Sequence, residues 1–422
     1  MTDEQRTEAT DTVSASDQTA SASNLTVSVL NQYERYVIGN YGRTPLVVDR
    51  AEGSYFWDLD GKRYLDLFPG WGCSAVGHCH PKVVAAIREQ VGRLVHMDNT
   101  FYTVAQGRLA EMLGERSFGG QSYFCNSGAE ATEAAIKIAR RATPAGRYKV
   151  ITMEKSFHGR TYGAMSATAQ SKTHAGNEPL LAGFTYVPFD DVEAVAAAID
   201  DETAAVLVEP IQGEGGVRVP SDDYLAGLRD LCDGTNVVLI FDEVQTGCGR
   251  TGRWFGYQHW DVEPDVMTLG KALGGGAPIA AILAREEVAA ALTPGSHATT
   301  YGANPLVVSA AIGMIDAVES ENLLDNAARM GDYLRERLPT IEPEPGVFQE
   351  IRGKGLMLAV ELTVPGSGVV AKCLDAGLRV NCTQDTVLRM LPAMNITREQ
   401  IDEGLEILGR ALADVTHEAV TS

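Results

Sequence analysis

Lysine is scarce in this chain: nine residues stand against twenty-six arginines. Basic residues number 35 and acidic ones 56, a formal net charge of -21. That balance excludes nucleic-acid binding as a main task, because phosphate contacts need a basic surface. The chain also lacks any uninterrupted apolar run of the roughly eighteen or more residues that a membrane helix requires. Its N-terminus has no basic stretch followed by an apolar one, so a cytoplasmic protein without membrane association or export signal is expected. The seven cysteines are odd in number and scattered, which argues against a disulfide framework and fits reduced thiols. His78, Cys79 and His80 are adjacent and poorly disposed to converge on one ion, and no second cluster completes a set of ligands. No metal is expected.

What is present is a chain of 422 residues with 45% apolar content, enough for two or three units around a large core. Its acidic, lysine-poor composition suits a high-salt cytoplasm, where ions screen the surplus repulsion, or else an ordinary acidic enzyme with an acidic tail. Residues 1–27, rich in Ser, Thr, Ala and acids, read as a disordered tail. From Leu46 to Leu67 apolar and polar residues alternate around the turn formers Glu52-Gly53 and Asp60-Gly61, a hairpin pattern within an N-terminal segment, 28–85, of a small domain. Pro81 to Leu94 has helical spacing with proline in the first turn. Short apolar runs then alternate with amphipathic stretches: Tyr123 to Cys125, Val150 to Met153, Ala204 to Val208, Val237 to Phe241, Val266 to Leu269 and Ile279 to Leu283. Strands alternating with helices predict an α/β domain, 86–317, with a mainly parallel sheet of about seven strands covered on both faces. Residues 318–422 read as the C-terminal part of the small α+β domain, with strand-like segments at Leu356 to Leu362 and Val387 to Leu391. The helix from Asn322 to Leu338 falls in that part, and the one from Pro305 to Val318 leads into it.

Several motifs fall at the C-terminal ends of these strands, the edge at which α/β sheets place ligands. Val237 to Phe241 delivers Asp242, and Val266 to Leu269 delivers Lys271. A lysine to hold an aldehyde and an acid to keep a pyridine nitrogen protonated are the pair that pyridoxal-phosphate chemistry needs. Ser127, Gly128 and Ala129 follow one strand and open a helix, where backbone amides and the helix dipole favour a phosphate. Alone, such a turn is more often a helix cap. Phe157 and Val244 could cover the two faces of a flat ring, and Arg160 offers a bidentate fork to a carboxylate. An isolated Phe packs a core and an isolated Arg makes a solvated ion pair, so these assignments depend on their neighbours. Glu209 and Glu243 read either as supports behind the site or simply as rim carboxylates. Gly247 to Gly252 satisfies G-x-G-x-x-G, yet Arg253-Trp254-Phe255-Gly256 follows instead of a helix, so it reads as a turn.

GHCHP (Gly77 to Pro81), CNSGAEA (Cys125 to Ala131), SFHGRT (Ser156 to Thr161), EPIQGEGG (Glu209 to Gly216), FDEVQTG (Phe241 to Gly247), GKALGGG (Gly270 to Gly276) and TTYGANP (Thr299 to Pro305) occur in that order. Together they resemble the class III pyridoxal-phosphate-dependent aminotransferases of fold type I, from about residue 33 onward. YGRTP (Tyr41 to Pro45), IRGKGLM (Ile351 to Met357) and VNCTQDTVLRMLP (Val380 to Pro392) are most similar to the acetylornithine aminotransferase branch. The resemblance implies pyridoxal 5'-phosphate as cofactor, amino-acid and 2-oxo-acid substrates, and transfer of the terminal amine of N2-acetylornithine to 2-oxoglutarate in arginine biosynthesis. Lys271 would hold the cofactor and carry the proton, and Asp242 would face the ring nitrogen. Gln245 is implied near the ring oxygen, with Ser127, Gly128 and Ala129 at the phosphate. Thr300 would complete that phosphate site from a second subunit, so that at least a homodimer is needed, with Thr299 beside the substrate. Arg160 would bind the distant carboxylate, Arg389 the near carboxylate of glutamate, and Glu214 would neutralise Arg389 when the other substrate lacks that group. Ala303 departs from the pattern, standing where the family usually has a second glycine. Ornithine, succinylornithine, 4-aminobutyrate or carrier-linked lysine as donor, a semialdehyde aminomutase, a dinucleotide-dependent oxidoreductase and a non-catalytic relative remain as alternatives.

Overall fold

The structure, a computed structural model, describes residues 15–421, and the side chains of residues 24–417. The stretch expected to be disordered is helical over its second half, in α1 (Ala15–Tyr36), while residues 1–14 lie outside the described residues. No glycine or proline interrupts α1, and its alanines and leucines are good helix formers. A composition poor in large apolar residues speaks to burial, not to local helix formation.

β1 (Val48–Glu52), β2 (Tyr55–Asp58) and β3 (Arg63–Asp66) form the meander expected around Gly53 and Gly61, whose φ values of 56° and 81° suit tight turns. α2 (Pro81–Val91) follows, capped by the His80 ring, which accepts from the Lys82 amide. His80 also lies 3.2 Å from Glu321, and His78 lies 3.0 Å from Asp66, so both imidazoles are used in local packing.

The central sheet comprises β4 (Gln121–Cys125), β5 (Lys149–Met153), β6 (Phe184–Val187), β7 (Thr203–Val208), β8 (Val238–Asp242), β9 (Val266–Leu269) and β10 (Ala280–Ala284) in the order β4-β10-β9-β8-β7-β5-β6. The pairs from β9 across to β6 are parallel, and β10 runs antiparallel between β4 and β9. β7 and β8 are buried along their full length, which explains why the centre of this sheet is written as continuous apolar runs. β6 escaped the sequence pattern: it is an edge strand of four residues, two of them exposed. α3 (Val104–Arg116), α4 (Gly128–Ala142) and further helices cover the sheet, with α4 burying Ala131, Ala134, Ala135, Ile136 and Ile138 against it.

A third sheet contains β11 (Phe348–Lys354), β12 (Met357–Leu362), β14 (Asn381–Thr383) and β15 (Val387–Met390). Between them β13 (Leu378–Arg379) crosses to pair in parallel with β3, so the first sheet takes its last strand from the far end of the chain. The segment Gly247 to Gly252 forms consecutive turns, as its glycine content and the aromatics after it imply. Arg250 within it is 1% exposed, and its guanidinium bonds to the carbonyls of Leu356, at 3.3 Å, and Pro392. It therefore fastens a turn beside the central sheet to the third sheet. Replacing Arg250 with methionine strands two buried carbonyls, and we expect a stability loss of about 2 kcal/mol or more, read by chemical denaturation.

Candidate active site

Five loops leave the C-terminal ends of β4, β5, β7, β8 and β9 on one edge of the central sheet. They enclose a cavity of about 170 Å³ lined by Gly128, Ala129, Phe157, His158, Gly159, Glu209, Glu214, Asp242, Val244, Gln245 and Lys271. Most residues singled out from sequence thus meet in one space. Parallel strands make this convergence automatic, since equivalent strand ends share a rim.

Asp242 ends β8, is 4% exposed, and accepts three hydrogen bonds. They come from the Thr268 hydroxyl at 2.9 Å, the Val244 amide at 3.0 Å and His158 Nδ1 at 2.7 Å. His158 is buried; its amide donates to the Thr168 hydroxyl at 2.8 Å, and its carbonyl accepts from Thr132. The carboxylate is therefore held in one orientation by partners from three strand ends. His158 lay inside a quoted motif without a role; a histidine on the same rim as a buried aspartate was the available signal.

Lys271 follows β9 with φ of 39°, a left-handed conformation that a non-glycine residue adopts at a cost of order 1–3 kcal/mol. This strain sits at the one amine in the cavity lining. Opposite it, Ser127 caps α4 by accepting from the Glu130 amide at 3.3 Å, which leaves the first-turn amides of Gly128 and Ala129 without intrahelical partners by position. Close packing excludes side chains here: a Cβ on Gly128 would lie 2.8 Å from Val244.

Glu209 and Glu243 are both buried, and each is pushed up to about 7, chiefly by burial. Glu243 points away from the cavity and accepts from the amides of Gly256 and Tyr257 at 2.8 and 2.7 Å, pinning the loop after β8. Glu209 faces inward and accepts from the amides of Phe157, at 3.0 Å, and Gly213, at 2.9 Å.

Glu214 makes a two-pronged ion pair with Arg389, at 2.8 and 3.0 Å. Burial pushes the Glu214 carboxyl up, but the charge and hydrogen bonds of Arg389 outweigh it and hold it below its ordinary value. Arg389 lies on β15, is 1% exposed, bonds to Asn381 and to the Gly213 carbonyl, and stacks 5.0 Å from the Phe68 ring centre. Arg160 is exposed, beside the cavity rather than in its lining, with its guanidinium 5.5 Å from the Phe157 ring centre.

Thr299 and Thr300 do not line this cavity. Thr299 accepts from Asn126 at 3.1 Å, one residue before Ser127, and Thr300 is exposed. Ala303, in the place of a glycine, has φ of 60°, so its methyl group is carried in a conformation glycine would take freely.

The arrangement can hold a flat phosphorylated heteroaromatic aldehyde. Helix amides suit a phosphate, Phe157 and Val244 suit ring faces, Asp242 suits a ring N–H, and Lys271 suits an aldehyde carbon. The Gln245 Oε1 atom is buried without a partner, as is His158 Nε2, so the cavity has hydrogen-bonding capacity left over. Among the described residues no group of side chains could hold a metal ion, and no helix is long and apolar enough to cross a membrane.

A family model described as aminotransferase class-III matches residues 36–412. Acetylornithine aminotransferase of Caldanaerobacter subterraneus subsp. tengcongensis is 46% identical over 387 residues, covering 90% of this chain and 98% of the relative. The protein of the same name from Methanocaldococcus jannaschii is 46% identical over 386 residues, covering 90% and 97%. Among solved structures, ornithine aminotransferase of Toxoplasma gondii aligns with a TM-score of 0.89 at 35% identity, covering 94% of this chain and 98% of that one. A second structure of that enzyme is described as having pyridoxal phosphate at partial occupancy in its active site. Since the match runs through every strand that supplies the cavity, this chain belongs to the class-III aminotransferases.

Proposed function

We propose that this chain is a pyridoxal-phosphate-dependent acetylornithine aminotransferase. It moves the terminal amine of N2-acetylornithine to 2-oxoglutarate, giving N-acetylglutamate semialdehyde and glutamate, a step of arginine biosynthesis. The reading is supported by relatives of that name at 46% identity and, above all, by the Glu214–Arg389 pair set in the same cavity as Lys271 and Asp242. The chemistry supplied by bound pyridoxal phosphate is an aldehyde carbon that takes up an amine and a ring that withdraws electrons. Lys271 is the cofactor-bearing amine and the base that moves a proton at the substrate carbon. Asp242, fixed by His158 and Thr268, faces the ring nitrogen. Gln245 serves the ring oxygen, and Ser127, Gly128 and Ala129 hold the phosphate.

Two substrates must share this site. N2-acetylornithine presents its terminal amine with no carboxylate next to it, whereas glutamate carries one on the reacting carbon. Arg160 takes the distant carboxylate in both cases. Arg389 takes the near carboxylate of glutamate, and Glu214 satisfies Arg389 when that group is missing, which avoids a buried unpaired charge. Glu214→Ala is therefore expected to favour glutamate over N2-acetylornithine by about tenfold or more in kcat/KM, measured as separate half-reactions. Equal losses in both would remove the switch.

A homodimer belongs to the same reading. Thr299 and Thr300 complete the site of the partner copy, and the neighbouring exposed residues Phe101, Tyr102, Val104 and Tyr301 provide an apolar surface for pairing. Asn99 bonds to the Gly302 carbonyl and His96 packs on Tyr301, so these segments form one face. Lys271→Ala and Thr300→Ala chains, each impaired alone, are expected to recover activity when refolded together, because a mixed dimer contains one intact site. Absence of recovery would place Thr300 outside the partner's site.

The acidic, lysine-poor composition further supports a cytoplasm of high salt. A panel of ω-amines assayed with 2-oxoglutarate should show N2-acetylornithine preferred, and more activity in molar salt than in dilute buffer. Comparable rates for unrelated amines would point instead to one of the relatives with other donors.

A further inference from the structure

Arg160 and Arg389 come from distant parts of the chain, yet a substrate with two carboxylates must find both at one separation. Glu209 links the loop that carries Arg160 to the turn that holds Arg389 on β15. It emerges directly after β7, in the middle of the central sheet, and is 5% exposed. Its Oε1 accepts from the Phe157 amide at 3.0 Å, three residues before Arg160, and the Arg160 guanidinium rests 5.5 Å from the Phe157 ring centre. Its Oε2 accepts from the Gly213 amide at 2.9 Å, and the Gly213 carbonyl in turn receives Arg389 Nη1 at 3.0 Å. The Gly213 turn also presents Glu214, and Val217, a branched residue with φ of 53°, marks it as a strained and closely determined hairpin. Gln212 and Arg218 close its base through two backbone bonds of 3.0 and 3.1 Å.

A carboxylate is the side chain this geometry requires, because two backbone N–H groups from different loops converge on it and an amide would turn a donor towards one of them. Burying such a group beside Asp242 is costly. It is offset here by the two charge-assisted bonds, one to the loop that bears Arg160 and one to the turn whose Gly213 carbonyl holds Arg389.

We propose that Glu209 is a positioning residue that fixes the separation of the two carboxylate-binding arginines, and thereby sets the length of the diacid the enzyme accepts. The inference rests on the roles given above to Arg160 and Arg389. The test uses the holoenzyme and two variants, Glu209→Gln and Glu209→Asp. The first keeps shape and loses one acceptor; the second keeps charge and is too short to span both amides. Each is titrated calorimetrically with succinate, glutarate and adipate, unreactive diacids that differ only in length, and assayed in both half-reactions.

Wild type is expected to favour glutarate. Both variants should bind glutarate about tenfold more weakly, with the differences among the three diacids narrowed. KM for 2-oxoglutarate should rise by a similar factor while kcat and the KM for N2-acetylornithine stay within about twofold. Unchanged length preference in both variants would overturn the proposal, as would equal loss of all three diacids and both half-reactions. Should wild type itself transfer no amine from N2-acetylornithine, the substrate assignment fails, while the diacid titration still reads the tether.

Discussion

Everything in the cavity is referenced to one buried carboxylate. Asp242 closes the central strand of the mainly parallel sheet, and its three hydrogen bonds come from the segments following β5 and β8 and from β9 itself. A buried acid with fewer partners would be costly; with them, it becomes a fixed point against which Lys271, Phe157 and Val244 are set. The rigidity is inherited from the sheet, since β7, β8 and β9 are fully buried and their ends cannot shift independently.

Beside that fixed point lies a second carboxylate system, the Glu214–Arg389 pair. Glu214 sits on a turn, not on a strand end, and its bond to Arg389 joins the central domain to the third sheet. Removing one partner of such a buried pair leaves an uncompensated charge, whereas replacing Glu214 by a substrate carboxylate does not. The guanidinium meanwhile keeps Asn381, the Gly213 carbonyl and the Phe68 ring as constant neighbours. Arg389 is thus held in place by contacts that do not depend on Glu214, as the proposed exchange of its anionic partner requires.

Legibility differed by element. The buried strands β5, β7, β8 and β9 were readable because burial on both faces writes an apolar run, and Asp242 and Lys271 were readable because they stand at the end of such a run or two residues past it. β6 was missed because an edge strand with exposed residues carries no such signature. α1 was read as disorder because composition reports on burial and not on helix propensity. His158 was passed over because its work depends on Asp242, 84 positions away along the chain.

The order of the apolar runs and the residues that end them were settled by sequence alone, because local periodicity and strand-end chemistry are local properties. Only the tertiary structure decided which side chains touch: the pairing of β3 with β13, the grip of Arg250 on the third sheet, and the inward turn of Glu209 against the outward turn of Glu243. Those contacts join residues far apart in sequence, and their existence depends on the relative placement of whole elements, which no local pattern encodes.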